Sequence, residues 1–160
     1  MAKSSEAVCL ILHNLRSAAN VGAIFRTAEA VGVSKIYLTG YTLAPVDRFG
    51  RTNRAVTKTA LGAENYIDWK KFQNISRLTY QLKADSYKLI ALEQAKNSVD
   101  YKKVKIDGPT AIIVGNEVTG LSKTILDRCD VVAEIPICGQ KESLNVSVAC
   151  GIFLFRLLGV

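Results

Sequence analysis

Short apolar runs alternate along this chain with stretches whose apolar residues recur at helical spacing. Val8–Leu12, Lys35–Thr39, Lys88–Leu92, Thr110–Val114 and Val131–Ile135 read as strands of the buried type. Asn20–Val31 reads as a helix, with Val21, Ile24, Phe25, Ala28 and Val31 on one face, Asn20 as N-cap and Gly32 as stop. Arg54–Leu61 is expected as a short helix ending at Gly62, and Trp69–Leu82 as an amphipathic one. Ser122–Arg128 gives another short helix. Ser143–Leu158 is the last, with Ser143 as its N-cap and apolar residues on nearly all sides, which predicts burial between layers or at a subunit interface. Thr42–Thr52, with Pro45 and Gly50, is a loop. Strands alternating with helices predict an α/β fold whose mostly parallel sheet carries helices on both faces. Ligands of such sheets sit at the carboxyl ends of the strands. The segments to watch are therefore Asn14–Asn20, Glu93–Asn97, Gly115–Gly120 and Pro136–Ser143.

Composition narrows the class. The chain has 160 residues, 49% apolar and 22% charged, which suits one globular domain. Its longest apolar stretch, Val146–Phe155, is interrupted by Ser147 and stops at Arg156, short of the ~20 residues of a membrane span. Glu6 breaks the N-terminal run, so no secretory leader is expected. Cys9, Cys129, Cys138 and Cys150 include no CxxC pair, and His13 is the single histidine. No metal site is expected, but rather four buried thiols in a reducing cytoplasm. The net charge of +7 is uneven: residues 35–105 hold fourteen basic and six acidic side chains, so the excess lies there. Such a segment suits either a solvated surface or a polyanion contact.

Several common chemistries drop out. GNEVTGLS has Gly115 and Gly120 at phosphate-loop spacing, but Leu121 stands where that loop needs Lys, and no GxGxxG is present. Ser143 has only His13 as a conceivable base, which argues against a hydrolase triad. Arg26 falls opposite the apolar face of its helix among the small residues Gly22, Ala23 and Ala30, where a substrate or another backbone could approach. Arg16 and Asn20 stand just upstream, and Glu117 lies within the turn between Gly115 and Gly120.

Three segments together resemble the SpoU (TrmH) family of SPOUT RNA methyltransferases across nearly the whole chain. NLRSAANVGAIFRTAEAVGV carries the first motif through Asn14, Arg16, Asn20, Gly22 and Arg26. IIVGNEVTGLS carries the second through Gly115, Glu117 and Gly120. IPICGQKESLNVSVA carries the third through Ile135, Pro136, Gly139, Ser143, Leu144 and Asn145. Ala19 and Cys138 depart from the Pro and Met common in the family.

The resemblance implies a single knotted domain, its C-terminal part threaded as a deep trefoil, without a separate RNA-binding domain. It implies S-adenosylmethionine as donor, a ribose 2′-oxygen of tRNA or rRNA as acceptor, no metal, and a homodimer with an active site completed across its interface. Gly115, Ile135 and Leu144 would line the donor pocket, with Leu92 and Asn116 beside them. Arg26 matches the residue proposed in the family as the base, with orienting the hydroxyl and holding the phosphate as the alternative role, supported by Asn20, Glu117, Ser143 and Asn145. Arg16 would hold a substrate phosphate, and Arg48, Arg51, Arg54 and Lys58 would form an RNA-docking patch. A base-methylating relative and a non-catalytic RNA-binding module are the alternatives.

Overall fold

The computed structural model describes residues 7–160; Glu6 and the residues before it, on which the reading of the leader rests, lie outside them. Seven strands form one sheet: β1 (Val8–His13), β2 (Lys35–Thr39), β3 (Asp68–Lys71), β4 (Lys88–Leu92), β5 (Val99–Asp100), β6 (Thr110–Val114) and β7 (Val131–Glu134). Their order is β3-β2-β1-β6-β4-β7-β5, and every pairing between these strands is parallel. The expected mostly parallel sheet is thus parallel throughout the described residues.

Side-chain alternation along the strands builds two cores. Leu10, Leu12, Ile36, Leu38, Ile112 and Val114 face one layer with Ile24, Phe25, Val56, Phe153 and Leu154. That layer holds helices α1 (Ala18–Val31), α2 (Arg54–Ala60) and α5 (Val146–Leu158). Cys9, Ile11, Leu89, Ala91, Ile113 and Val132 face the other, with Leu78, Leu82 and Ile125 from α3 (Ile75–Ala84) and α4 (Lys123–Arg128). Each fully buried Leu, Ile or Phe contributes on the order of 1.5–3 kcal/mol by leaving water. Both faces of the sheet are covered, so all five central strands read as apolar runs.

Four details differ from the sequence reading. First, α1 starts at Ala18 and is capped by Ser17, whose side chain accepts from the backbone N–H of Asn20; Asn20 lies inside the helix and its side chain is free for other work. Secondly, Asn145, not Ser143, caps α5. Thirdly, the segment from Trp69 to Leu82 is not one helix. Asp68–Lys71 pairs with β2 as a short edge strand, and Asn74 caps a helix that begins at Ile75. Finally, only Cys9 and Cys150 are buried, whereas Cys129 is half-buried and Cys138 exposed. Burial pushes the thiols of Cys9 and Cys150 up to about 12 and that of Cys129 to about 11, which keeps them protonated.

The helix α1 is set against α2 at close range. A Cβ at Gly22 would collide with the Thr59 hydroxyl and the Val56 carbonyl, and Thr59 Oγ1 donates to the Ala19 carbonyl at 2.9 Å. Gly22 is therefore small for the sake of α2, not of a substrate. No helix of the described residues is long and apolar enough to cross a membrane.

Candidate active site

A cavity of about 290 Å³ opens beyond the carboxyl ends of β4, β6 and β7. Leu92, Gly115, Asn116, Ile135 and Leu144 all line it, together with Glu117 and Ser143. Gly115 has no room for a side chain, since its Cβ would sit 2.6 Å from the Leu121 side chain. Gly120 adopts φ +65°, and a Cβ there would collide with the Glu93 carboxylate. That carboxylate accepts from the backbone N–H of Leu121 at 3.0 Å, which fixes the Gly115–Gly120 turn to the end of β4. Gln94 closes one side by donating to the Glu142 carbonyl at 3.0 Å. Glu93, Gln94, Glu134 and Glu142 line the cavity without having been singled out in the sequence. Only the rule that strand ends bear ligands pointed at the loops holding Glu93, Gln94 and Glu142; Glu134 ends β7 itself.

Glu117 joins the glycine turn to the first helix. Its carboxylate accepts from the N–H groups of Arg16 and Ser17, each at 3.0 Å, and from Asn20 Nδ2 at 3.2 Å. Burial alone would push this carboxyl up. The Arg16 and Ser17 N–H groups, its own N–H and the Asn20 amide together outweigh that and hold it below the usual carboxylate range. A negative carboxylate at the start of α1 also suits the helix dipole. Because the Asn20 amide nitrogen faces this carboxylate, its Oδ1 is left to accept from Asn145 Nδ2 at 3.2 Å. The Asn145 Oδ1 in turn accepts from Ser147 N–H at 2.9 Å and Val148 N–H at 3.4 Å as the cap of α5. Glu117, Asn20 and Asn145 thus form one hydrogen-bonded chain through all three motifs.

Asn116 is buried, and its side chain is fully engaged by the protein. It donates to the Asn14 carbonyl at 2.9 Å and to the Tyr41 hydroxyl at 2.8 Å, and accepts from the N–H groups of Val118 and Thr119. Its part in the cavity wall is therefore that of a framework. Asn14 itself takes a left-handed conformation, φ 56°, and donates to His13 Nε2 at 3.2 Å. The opposite ring nitrogen, Nδ1, then donates to Thr39 Oγ1 at 2.9 Å. Burial pushes the imidazole down, consistent with this neutral form.

Arg26 is exposed on α1 and has no ion-pair partner among the described residues. It does not line the cavity of its own chain. On the same helix, Ala23 and Thr27 flank an apolar groove completed by Val148, Gly151, Ile152 and Phe155 of α5. The α5 helix is thus divided: Cys150, Phe153 and Leu154 enter the core, while Val148, Ile152 and Phe155 stay exposed. Arg16, Arg48, Arg51, Arg54 and Lys58 are exposed as well. Arg51 precedes α2 and pairs with Asp47 at 2.8 Å, so only Arg54 and Lys58 of the patch share a helix. Among the described residues no group of three or more His, Cys, Asp or Glu could hold a metal ion.

The model of the SpoU rRNA Methylase family matches residues 7–155. The chain belongs to this family. Among relatives of this SpoU chain, the 23S rRNA (guanosine-2′-O-)-methyltransferase RlmB of Coxiella burnetii is 33% identical over 155 residues, covering 97% of this chain and 59% of that protein. The chain spans less than two thirds of the curated relatives it matches, which are longer proteins. Among solved structures, the AdoMet-bound rRNA methyltransferase from Sinorhizobium meliloti superposes with a TM-score of 0.84 at 29% identity, over 95% of this chain and 56% of that one. The A. aeolicus TrmH/SpoU tRNA modifying enzyme gives 0.82 at 29% identity, over 97% and 75%.

Proposed function

We propose that this SpoU chain transfers a methyl group from S-adenosylmethionine to a ribose 2′-oxygen of tRNA or rRNA. The reading is carried by the cavity at the carboxyl ends of β4, β6 and β7, whose walls come from the second and third motifs and the end of β4. Its lining suits the donor. Leu92, Ile135, Ile137, Leu144 and Val146 offer apolar surface for a flat base, and Glu93, Glu134 and Glu142 offer negative charge for a sulfonium and an amine. The donor supplies an electrophilic methyl carbon and a thioether leaving group. The 2′-oxygen forms the new C–O bond, the S–C bond breaks toward sulfur, and the hydroxyl proton leaves to solvent or a nearby base. Relatives named for rRNA and for tRNA both match, so either RNA fits the family.

The chain's own residues have three tasks in this reading. The Glu117–Asn20–Asn145 chain holds the walls in register, so the reacting atoms meet without reorganisation. Arg26 orients the hydroxyl and grips an adjacent phosphate, a role that fits a guanidinium better than proton removal does. Arg16, Arg54 and Lys58 hold the RNA backbone, with Arg48 and Arg51 at the nearby turn. Arg26 reaches a cavity only in a dimer. A second copy covering the groove between α1 and α5 would bury Val148, Ile152 and Phe155 and bring Arg26 beside the partner's cavity.

The decisive experiment offers the purified chain tRNA and rRNA together with methyl-labelled donor, followed by digestion to nucleosides. Label on the sugar supports the proposal. Label on a base would replace it with base methylation, and no label despite donor and RNA binding would leave a non-catalytic module.

A further inference from the structure

Phe49 stands in the loop between β2 and α2 with 66% of its surface open to water. Around this ring the turn is held firmly. Asp47 Oδ1 accepts from the N–H of Phe49 at 2.8 Å and of Arg51 at 3.0 Å, and Asp47 Oδ2 accepts from Arg51 Nε at 2.8 Å. Gly50 N–H donates to the Asp47 carbonyl at 3.0 Å, and Val46 and Thr52 pair as an antiparallel bridge beneath. None of these bonds needs the aromatic side chain. The guanidinium carbons of Arg48 and Arg51 lie 4.8 and 5.1 Å from the ring centroid.

The root of the loop is fixed at the rim that bears the cavity. Thr42 Oγ1 donates to the Leu12 carbonyl at 2.8 Å, and Leu15 N–H donates to the same hydroxyl. Lys71 Nζ donates to the carbonyls of Gly40 and Thr42. Tyr41 accepts the Asn116 amide through its hydroxyl, which ties the loop to the cavity wall.

We propose that Phe49 is a stacking platform for an unpaired base of the substrate RNA, which takes the place of a guanidinium over the ring as Arg48 and Arg51 turn to the adjoining phosphates. The inference rests on the RNA reading above and adds to it a recognition residue for a nucleotide flanking the reacting ribose. An exposed ring with two guanidinium groups against it is the pairing that single-stranded nucleic acid engages: any base has a π-face for the ring, and its phosphates meet the cations. Arg54 and Lys58 extend the positive surface along α2. A membrane contact fits less well: Leu43 and Val46 of the loop are exposed too, but the charged Asp47, Arg48 and Arg51 surround the ring.

The test uses a fluorescein-labelled hairpin RNA with an unpaired loop, and the same stem closed by a non-nucleotide linker. Phe49→Ala should weaken binding of the looped hairpin by about 5- to 150-fold, the measured range for losing one stacked base. It should leave the salt dependence unchanged, because stacking releases no counterions, whereas Arg54→Ala should reduce the slope by about one. Binding to the linker-closed stem should not respond to Phe49→Ala. Phe49→Trp, placed in a Trp69→Phe background, should keep the affinity and lose fluorescence when the looped hairpin is added. Equal affinity of wild type and Phe49→Ala for the loop would overturn the platform, as would an unquenched Trp or full affinity in Phe49→Leu. If the wild-type chain binds neither hairpin, the RNA reading fails together with the platform.

Discussion

At the scale of single residues, Glu117 decides more than its place in a glycine turn suggested. A carboxylate between two glycines reads as a solvated or capping group when only spacing is visible. Its three donors belong to residues about a hundred positions upstream, so no local pattern could announce them. The folded pKa lies below the unfolded one. Its stabilisation is therefore complete above the ordinary carboxylate range and is lost as the pH falls through the lower, folded value. Glu117→Gln should cost about 1–3 kcal/mol at neutral pH. Calorimetry from neutral to acidic pH should show the gap from wild type narrowing below pH ~4; a gap of constant size would assign the loss to packing. Arg26 offers the opposite case. It is exposed and without an ion-pair partner among the described residues, so Arg26→Ala should change stability by less than about 0.5 kcal/mol. Methyl transfer should nevertheless be abolished while calorimetric donor affinity is kept, and equal losses of both would remove its role at the hydroxyl.

At the scale of elements, the strands that are buried on both sides were legible and those at the edges were not. β1, β2, β4, β6 and β7 announce themselves as apolar runs because helices cover both their faces. β3 hides inside what looks like a helix: Trp69, Phe72, Ile75, Leu78 and Leu82 keep near-helical spacing across the break at Asn74. As an edge strand with three of four residues exposed it lacks the alternation that would betray it, and β5 has only two residues. The caps failed for a related reason. Ser17 and Asn20, or Ser143 and Asn145, are equally good capping residues in sequence, and the tertiary partners of Asn20 and Asn145 decide between them. The helix pair α1 and α2 yields a direct check. Gly22→Ala would improve intrinsic helix propensity by about 1 kcal/mol. Yet it drives a methyl into the Val56 carbonyl of α2, which cannot rotate away. Urea unfolding should show a net loss of about 1–2 kcal/mol; a gain would mean that the two helices part freely.

For the whole molecule, the outer face of α5 and the position of Arg26 make one prediction together. If two copies share each active site, an Arg26→Ala chain and a chain with a disabled cavity are each inactive. Mixed and allowed to exchange, they should regain about a quarter of wild-type transfer, since half of the dimers then hold one intact site. Ile152→Asp should shift sedimentation to the monomer and prevent that rescue, and no rescue among mixed dimers would place each site within one chain. A knotted threading, a methyl donor and a dimer are expectations that rest on the family motifs alone, since hydrophobic periodicity carries no information about threading or a second copy. The span of the Glu117–Asn20–Asn145 chain has a consequence for how the protein is made. The first helix is made before the third motif, and its orienting amide finds its last partner 125 residues later. A nascent chain stalled before Asn145, or a truncated product of premature termination, lacks the bond that aligns the first motif with the third. The alignment on which the proposed methyl transfer relies is therefore complete only after the third motif has been made.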